Sequence, residues 1–179
     1  MGISTLISTS TASNAATVSI TSGIDSTYDE YMFVCTDINP ATDGANFQFD
    51  CSTDGGSNYG MTITSTFFQT THYEDDQDAY GPSYNIDGDL KQETGFQYLT
   101  SAQGNGADES GAGILRLFSP SNTTYAKNFI SRFSDYSYSD IQRECYGAGY
   151  VNSTSDVDAI QFKMTSGNFD GVIQMYGIA

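Results

Sequence analysis

The turn Ser166-Gly-Asn-Phe-Asp170, followed by the apolar segment Gly171-Val-Ile-Gln-Met-Tyr-Gly-Ile-Ala179, ends the chain. The residues before the turn, from Val157 to Met164, alternate between two faces with the two-residue period of a β-strand. Two such segments joined by a short polar turn predict a β-hairpin. A chain that closes on its own strand is also expected to be one sheet-built domain, without a downstream shaft.

Similar strand patterns occur near the other end of the chain. Thr17–Ile20 alternates between apolar and hydroxyl side chains, and Ala45–Ser52 alternates between an aromatic face and a polar face. Tyr31–Thr36 is apolar on both faces, which is typical of a central strand covered on both sides. Because Tyr31–Thr36 and Ala45–Ser52 are separated by a Pro- and Gly-containing turn, we expect them to be antiparallel neighbours with a common buried face.

Further segments with strand character lie between these two ends: Met61–Phe68, Gly95–Thr100, Ile114–Phe118 and Asn128–Phe133. Together the patterns predict about eight strands connected by turns. The expected fold is all-β: a single antiparallel β-sandwich of jelly-roll or Greek-key type over residues 17–179, with a barrel as the alternative.

The first sixteen residues are rich in Ser, Thr and Ala, with an apolar patch at Leu6 and Ile7. Such a segment is expected to be an N-terminal arm, residues 1–16, that becomes ordered against a neighbouring molecule. The alternative is an edge strand of the domain itself. As an arm, it would contact another subunit or a partner protein through Ile3, Leu6 and Ile7.

Composition excludes several classes of function. The 179 residues suit one domain, and 6 Lys+Arg against 22 Asp+Glu give a net charge of −16. This charge repels phosphate backbones and anionic lipid surfaces, so neither nucleic acid nor a membrane is an expected partner. No secretory signal or long apolar span is present in the sequence, which makes the cytoplasm the expected place of synthesis.

The residue types that support catalysis are sparse. Cys35, Cys51 and Cys145 lack a CxxC spacing and predict small buried thiols rather than disulfides or a zinc site. His72 is the single histidine, and no G-x-S-x-G motif accompanies it, so a surface histidine is expected rather than a catalytic base. A pair of carboxylates that hydrolyses glycans would be hidden among so many acidic residues, and no Asp or Glu is distinguished by its context. The chain is therefore predicted not to be an enzyme and to need no cofactor.

The acidic segment Glu74–Asp89 has a weak resemblance to a calcium-binding loop. Asp76 and Asp78 occupy the first and third positions of an EF-hand-like spacing, but Tyr80 and Pro82 stand where oxygen ligands belong. A looser site that uses Glu74, Asp75, Asp76 or Asp78 is an alternative to a solvated acidic loop. The same loop is long and polar, which is typical of a segment that makes contacts.

Tyrosines are concentrated in and beside this loop, at Tyr73, Tyr80 and Tyr84. Exposed tyrosines can stack on sugar rings or anchor a protein interface, because each ring covers a large area at little entropic cost. The three residues are therefore candidates for a receptor-binding or subunit-interface loop. A second cluster contains Tyr136, Tyr138, Tyr146 and Tyr150, for which core and interface positions are the expected roles.

Four stretches of strand and turn resemble virion structural proteins of tailed bacteriophages, notably marine and cyanobacterial phages: Ile20–Val34, Ile38–Gly44, Cys51–Tyr59 and Met164–Ile178. The resemblance implies a β-sandwich module displayed on a capsid or tail, often as a trimer. It brings no catalytic residues.

From this resemblance we expect a capsid decoration or cement protein that binds and stabilises the capsid exterior. Its partners would be the major capsid protein or other virion proteins, and it would be assembled in the host cytoplasm as a homotrimer. The alternative is a tail-fibre or head-fibre adhesin that binds a host receptor or glycan through Glu74–Asp89.

Overall fold

The structure is a computed structural model that describes residues 4–75 and 78–179. Within these residues the chain forms β-strands, turns and loops, and no helix. The composition explains this, because Ser, Thr, Asn and Gly disfavour helices whereas alternating aromatic and β-branched residues favour strands. The strands are β1 (Ser4–Ala15), β2 (Thr17–Ile20), β3 (Glu30–Pro40), β4 (Phe47–Ser52), β5 (Thr62–Tyr73), β6 (Ala79–Tyr84), β7 (Lys91–Thr94), β8 (Gln97–Tyr98), β9 (Gly111–Phe118), β10 (Lys127–Ser137), β11 (Ile141–Val151), β12 (Ala159–Met164) and β13 (Phe169–Ile178).

The strands form two antiparallel sheets of unequal size. The larger sheet has nine strands in the order β1-β13-β3-β9-β10-β11-β5-β6, with β7 also paired to β5. The smaller sheet has four strands in the order β2-β12-β4-β8. The all-β, sandwich-like prediction is confirmed, whereas the estimate of about eight strands is wrong, since the described residues form thirteen.

The core lies between the two sheets and is rich in phenylalanine. The ring of Phe162, from the small sheet, lies 5.7 Å from that of Phe33 in the large sheet and stacks at 5.7 Å on Phe47. Phe47 in turn lies within 6.1 Å of the rings of Phe133 and Phe169. These buried rings join the inner faces of both sheets, and their burial is the main source of stability.

The prediction of a closing hairpin is wrong. β12 belongs to the small sheet and β13 to the large sheet, so the turn between them carries the chain across the core. Gly167, in this turn, has φ +72, and a Cβ there would meet the side chain of Thr42. The turn is held by a backbone hydrogen bond of 2.8 Å from Ala41 N–H to Asn168 O. It therefore packs beside the β3–β4 connection, which crosses between the sheets at the same end.

The predicted pairing of Tyr31–Thr36 with Ala45–Ser52 is also wrong. These segments form β3 and β4, which belong to opposite sheets. Their aromatic faces do share the core, but they meet across it rather than as neighbours in one sheet.

The first described residues form the edge of the large sheet. β1 pairs with β13 from Ser4 opposite Ile178 to Ala15 opposite Phe169. Over Ser4–Ala15 the segment that we expected as an arm is therefore ordered by its own chain, and the alternative of an edge strand describes it. Among the described residues there is no helix that could span a membrane.

Candidate functional site

The outer face of the large sheet carries two adjacent rows of side chains that cross it from edge to edge. Antiparallel register places the members of each row directly opposite one another on successive strands. The first row is Leu6, Tyr176, Met32, Arg116, Ile130, Ala148 and Thr66. The second row is Thr9, Gln174, Val34, Ile114, Arg132, Tyr146, Phe68 and Tyr84. We call these two rows the outer band.

The outer band is uncovered although much of it is apolar. None of its side chains is buried, and Leu6, Ile130, Phe68 and Ile114 expose 37–50% of their surface. Alternation along the strands usually places polar residues on a solvent face. A contiguous apolar patch with a polar border is typical of an interaction surface.

The outer band is also free of carboxylates, in a chain that has 22 acidic residues. The closest acidic residues in register are Glu30, which is opposite Phe118, and Glu144, which is opposite Ser134. Each is paired with an arginine of the band: Arg116 Nη1 lies 2.6 Å from Glu30 Oε1, and Arg132 binds Glu144. The face is therefore close to neutral, while the molecule as a whole is strongly negative.

A shallow groove of about 420 Å³ lies in the middle of the outer band. Its walls include Phe68, Ile114, Ile130 and Tyr146, with Arg116 and Arg132 among its lining residues. The rings of Phe68 and Tyr146 stack at a centroid distance of 4.9 Å. Such a groove can accept apolar or aromatic side chains of a partner, and the two guanidinium groups can bind its polar atoms.

Tyr146, Glu144 and Arg132 form a polar network at the border of the groove. The guanidinium carbon of Arg132 lies 5.6 Å from the Tyr146 ring centroid. A hydrogen bond from Tyr146 and, to a smaller extent, one from Arg132 lower the pKa of Glu144. The hydrogen bond to Glu144 raises the pKa of Tyr146, so its hydroxyl remains protonated. The network holds Arg132 beside the ring and leaves no group that titrates near neutrality.

On the outer face of the small sheet, β4 is covered by other parts of the same chain, whereas Thr17 and Ser19 of β2 are exposed. All six residues of β4 are buried, including the outward-facing Asp50. Asp50 accepts hydrogen bonds of 2.7 and 2.5 Å from the backbone N–H groups of Cys51 and Gly60. Burial nevertheless raises its pKa to about 7. Nearby, Lys163 Nζ lies 3.8 Å from the Phe96 ring centroid.

A second buried carboxylate lies inside the core, on the inner face of β10. Asp135 is 2% exposed and opposite Arg143 on β11. Burial raises the pKa of Asp135 to about 7, although the charge of Arg143 acts in the opposite direction. Asp135 Oδ1 and two nitrogens of Arg143 have no hydrogen-bond partner among the described residues. Both side chains are buried, and Asp135 also lines a small depression together with Glu74 and Tyr136.

Two of the three residues of the predicted arm contact, Leu6 and Ile7, lie within the described residues, and they differ in exposure. Leu6 is 50% exposed and begins the first row of the outer band. Ile7 is only partly exposed and packs against the core, so it is not available as a contact residue in this conformation. Ile3 lies outside the described residues.

The predicted tyrosine loop is partly a strand, since β6 occupies the middle of Glu74–Asp89 and pairs with β5. Tyr80 and Tyr84 are 56% and 54% exposed. Tyr73 is half-buried, and its ring meets that of Tyr80 edge to face at 6.4 Å. Tyr84 lies apart from this pair, opposite Phe68 at the end of the outer band, and its hydroxyl donates to Asp89 Oδ2 at 2.5 Å.

The metal and nucleophile candidates gain no geometric support. In residues 4–75 and 78–179, no three His, Cys, Asp or Glu side chains are grouped so that they could hold a metal ion. Of the two calcium candidates on the EF-hand-like spacing, Asp76 lies outside the described residues, and Asp78 accepts a hydrogen bond from Tyr80. His72 is exposed on β5, and its cross-strand neighbours are Gln142 and Ala79.

The cysteines are small buried side chains, as the sequence predicts. Cys35, Cys51 and Cys145 are free and buried. Burial raises the pKa of each thiol, so none is present as a thiolate near neutral pH.

Most of the outer band was not identified from the sequence. Its members come from eight strands and are brought together by pairing between distant segments. One signal was available, because Tyr31–Thr36 is apolar on both faces. The structure shows that the outward residues, Met32 and Val34, are partly exposed members of the band rather than covered ones.

Comparisons of the chain with protein-family models, with curated proteins and with solved structures found no match.

Proposed function

We propose that the chain is a non-enzymatic structural protein of a tailed-phage virion, a decoration or cement protein that binds the capsid exterior. The resemblance of its strand and turn segments to phage virion proteins is one support. A second support is its construction, because two packed sheets offer broad, rigid surfaces. The chain passes repeatedly between the two sheets, and with the resemblance this favours the Greek-key or jelly-roll group of sandwiches.

The observation that carries this proposal is the outer band. It is a wide, nearly neutral and largely apolar surface on a chain with a net charge of −16. Apolar side chains exposed across a sheet lower the free energy of association when a partner covers them, at about 25 cal/mol for each Å² of apolar surface. A protein surface is the partner that matches this shape and charge, because nucleic acid would require a positive face. In this proposal the outer band lies against the capsid, and the acidic loops face the solvent.

Substitution within the band tests the proposal. Phe68→Asp and Ile130→Asp place a carboxylate in the groove, and we expect each to reduce binding at least about tenfold. The measurement is co-sedimentation of the purified protein with capsids of the phage that encodes it.

Tyr125→Asp is the matched control, because Tyr125 is 70% exposed and lies outside the outer band. The control should bind like the wild type. Binding that survives both groove substitutions, or a protein that labelling does not locate on the virion surface, would contradict the proposal.

An adhesin is the second candidate function, and the exposed tyrosines of β6 favour it. Tyr80 and Tyr84 present more than half of their surface at the sheet edge opposite β1. Exposed aromatic rings of this kind can stack on sugars of a host glycan. If this candidate is correct, the double substitution Tyr80→Ala with Tyr84→Ala abolishes attachment of the virion to host cells and leaves virion assembly intact. If attachment is unchanged, the adhesin candidate is wrong.

A further inference from the structure

The edges of the two sheets are protected to very different degrees. Exposed edge strands offer unpaired N–H and C=O groups, so proteins usually shorten them, place charges or proline on them, or cover them. In the small sheet the edge strands β2 and β8 have four and two residues. At the far side of the large sheet, β6 has six residues and contains Pro82, while β7 has four residues and carries Lys91 and Glu93.

The remaining edge, β1, has the weakest protection. It is 12 residues long, and it contains neither proline nor a charged residue. Among the described residues, no strand pairs with the side of β1 that faces away from β13. Register shifts interrupt β1 between Leu6 and Ser8 and between Ala12 and Ala15, which leaves Ser8–Ala12 as a regular stretch. This stretch is a ready template for another strand.

We propose that β1 pairs antiparallel with β1 of a second copy of the chain, over Ser8–Ala12. Charge favours a second copy at this position. Two molecules of net charge −16 repel each other over most of their surfaces, but these edges would meet without carboxylates. The carboxylate of Asp170 does accept a hydrogen bond from the backbone N–H of Asn14 in β1, but Asn14 lies outside the regular stretch Ser8–Ala12.

The side chains of Ser8–Ala12 are small enough for such a pair. A two-fold axis at Ser10 places Thr9 of one copy opposite Thr11 of the other, and both threonines are exposed. Threonine pairs directly opposite one another on antiparallel strands are favourable. The backbone groups on the free side of β1 would then all be available for ladder hydrogen bonds.

This pairing has a consequence for the outer band. An antiparallel pair is related by a two-fold axis perpendicular to the sheet, so the outer faces of the two copies lie on the same side. The two large sheets become one continuous sheet, and the two bands lie beside each other, with Leu6 of each copy near the junction. The pairing itself does not depend on the proposed capsid role, but it would give the protein two docking bands on one surface.

The first test is the oligomeric state of the purified full chain, measured by sedimentation velocity. We expect a dimer for the wild type, and a monomer for Thr9→Glu with Thr11→Glu, because the substitution places like charges directly opposite one another. The matched control is Thr66→Glu with Asn128→Glu, which adds the same charge at exposed positions of the outer face, away from β1. This control should remain a dimer.

A monomeric or trimeric wild type would overturn the inference, and a trimer would instead match the three-fold packing expected from the resemblance. A dimer that survives the β1 substitution, or that the control disrupts, would also overturn it. Capsid binding by a monomeric wild type would leave the proposed function intact while the β1 inference fails.

A second test reports the register directly and does not require loss of the dimer. Thr9→Cys and Thr11→Cys proteins are mixed and oxidised. The native cysteines are buried, so the introduced thiols are the accessible ones in the described part of the chain. We expect disulfide-linked dimers from the mixture and much fewer from either variant alone. Equal cross-linking in all three samples, or none in the mixture, would contradict the proposed register.

Discussion

The outer faces of the two sheets differ in what the chain does with them. On the small sheet, the chain covers the polar outward side of β4, so that the carboxylate of Asp50 is buried and accepts hydrogen bonds from backbone N–H groups. On the large sheet it leaves an apolar face uncovered, including Phe68 and Ile130. Burying a carboxylate costs free energy, whereas burying apolar surface gains it. The folded chain therefore leaves apolar surface exposed on the large sheet whose burial would stabilise it. This is expected if another molecule covers that face.

The largest expected effect comes from removing the same side-chain atoms at a position in the core and at a position on the uncovered outer face. Phe162 is fully buried between the sheets, and we expect Phe162→Ala to lower the free energy of unfolding by about 3–5 kcal/mol. Phe68 is 37% exposed and contacts the Tyr146 ring, so Phe68→Ala should lower the free energy of unfolding by about 1 kcal/mol or less. Denaturant unfolding of both variants measures the difference. Equal losses would mean that the outer band stabilises the fold as the core does.

Buried carboxylates add a pH dependence to the covered side of the comparison. The folded-state pKa of Asp135 is raised from 3.8 to about 7, so the folded protein holds a proton that the unfolded chain releases. Its contribution to stability is complete below about pH 4 and is lost as the pH rises through about 7. Asp135→Asn also removes the partner of Arg143, so its effect is read from the pH dependence: the variant should lose less stability than the wild type between pH 4 and pH 8, by an amount on the order of 2–4 kcal/mol.

The measurement is the free energy of unfolding between pH 4 and pH 8, from denaturant titrations at each pH. Asp54→Asn provides a control of opposite sign, because hydrogen bonds from Asn58 and Ser52 lower the pKa of Asp54 to about 2. Asp54 contributes stability above about pH 4 that is lost as the pH falls through about 2, so its substitution should reduce stability at neutral pH. A wild type whose stability does not change between pH 4 and pH 8 would rule out the proposed burial penalty.

The sequence predicted the type of structure much better than the pairing of its parts. Strand character follows from local alternation in Thr17–Ile20 and from a short apolar run in Tyr31–Thr36 and Val172–Ile178, and the structure confirms it. A hairpin and a crossing between sheets have the same local pattern, however. Whether β12 and β13 pair depends on their distant partners β4 and β3, which local sequence does not specify.

β11 shows a second limit. Its inward positions include Arg143, Gly147 and Cys145 instead of large apolar residues, so the alternation that marks a strand is weak there. The strand forms because β10 and β5 pair with it along its whole length. The outer band was hidden for the same reason, since it exists only once eight strands are in register.

The smallest expected effect concerns the charges on the uncovered face. Arg132 and Glu144 form an exposed ion pair, and we expect their coupling free energy to be below about 1 kcal/mol in a double-mutant cycle of Arg132→Gln and Glu144→Gln. The pair would then serve mainly to keep the outer band neutral. Glu144→Gln should accordingly leave stability almost unchanged and make the band more positive. Arg132→Gln leaves the Glu144 carboxylate without its ion-pair partner at the border of the band and should weaken association with a partner protein more. A coupling above about 2 kcal/mol would instead mean that the uncovered face was selected for the stability of the fold, because exposed pairs retained for contact contribute little to folding.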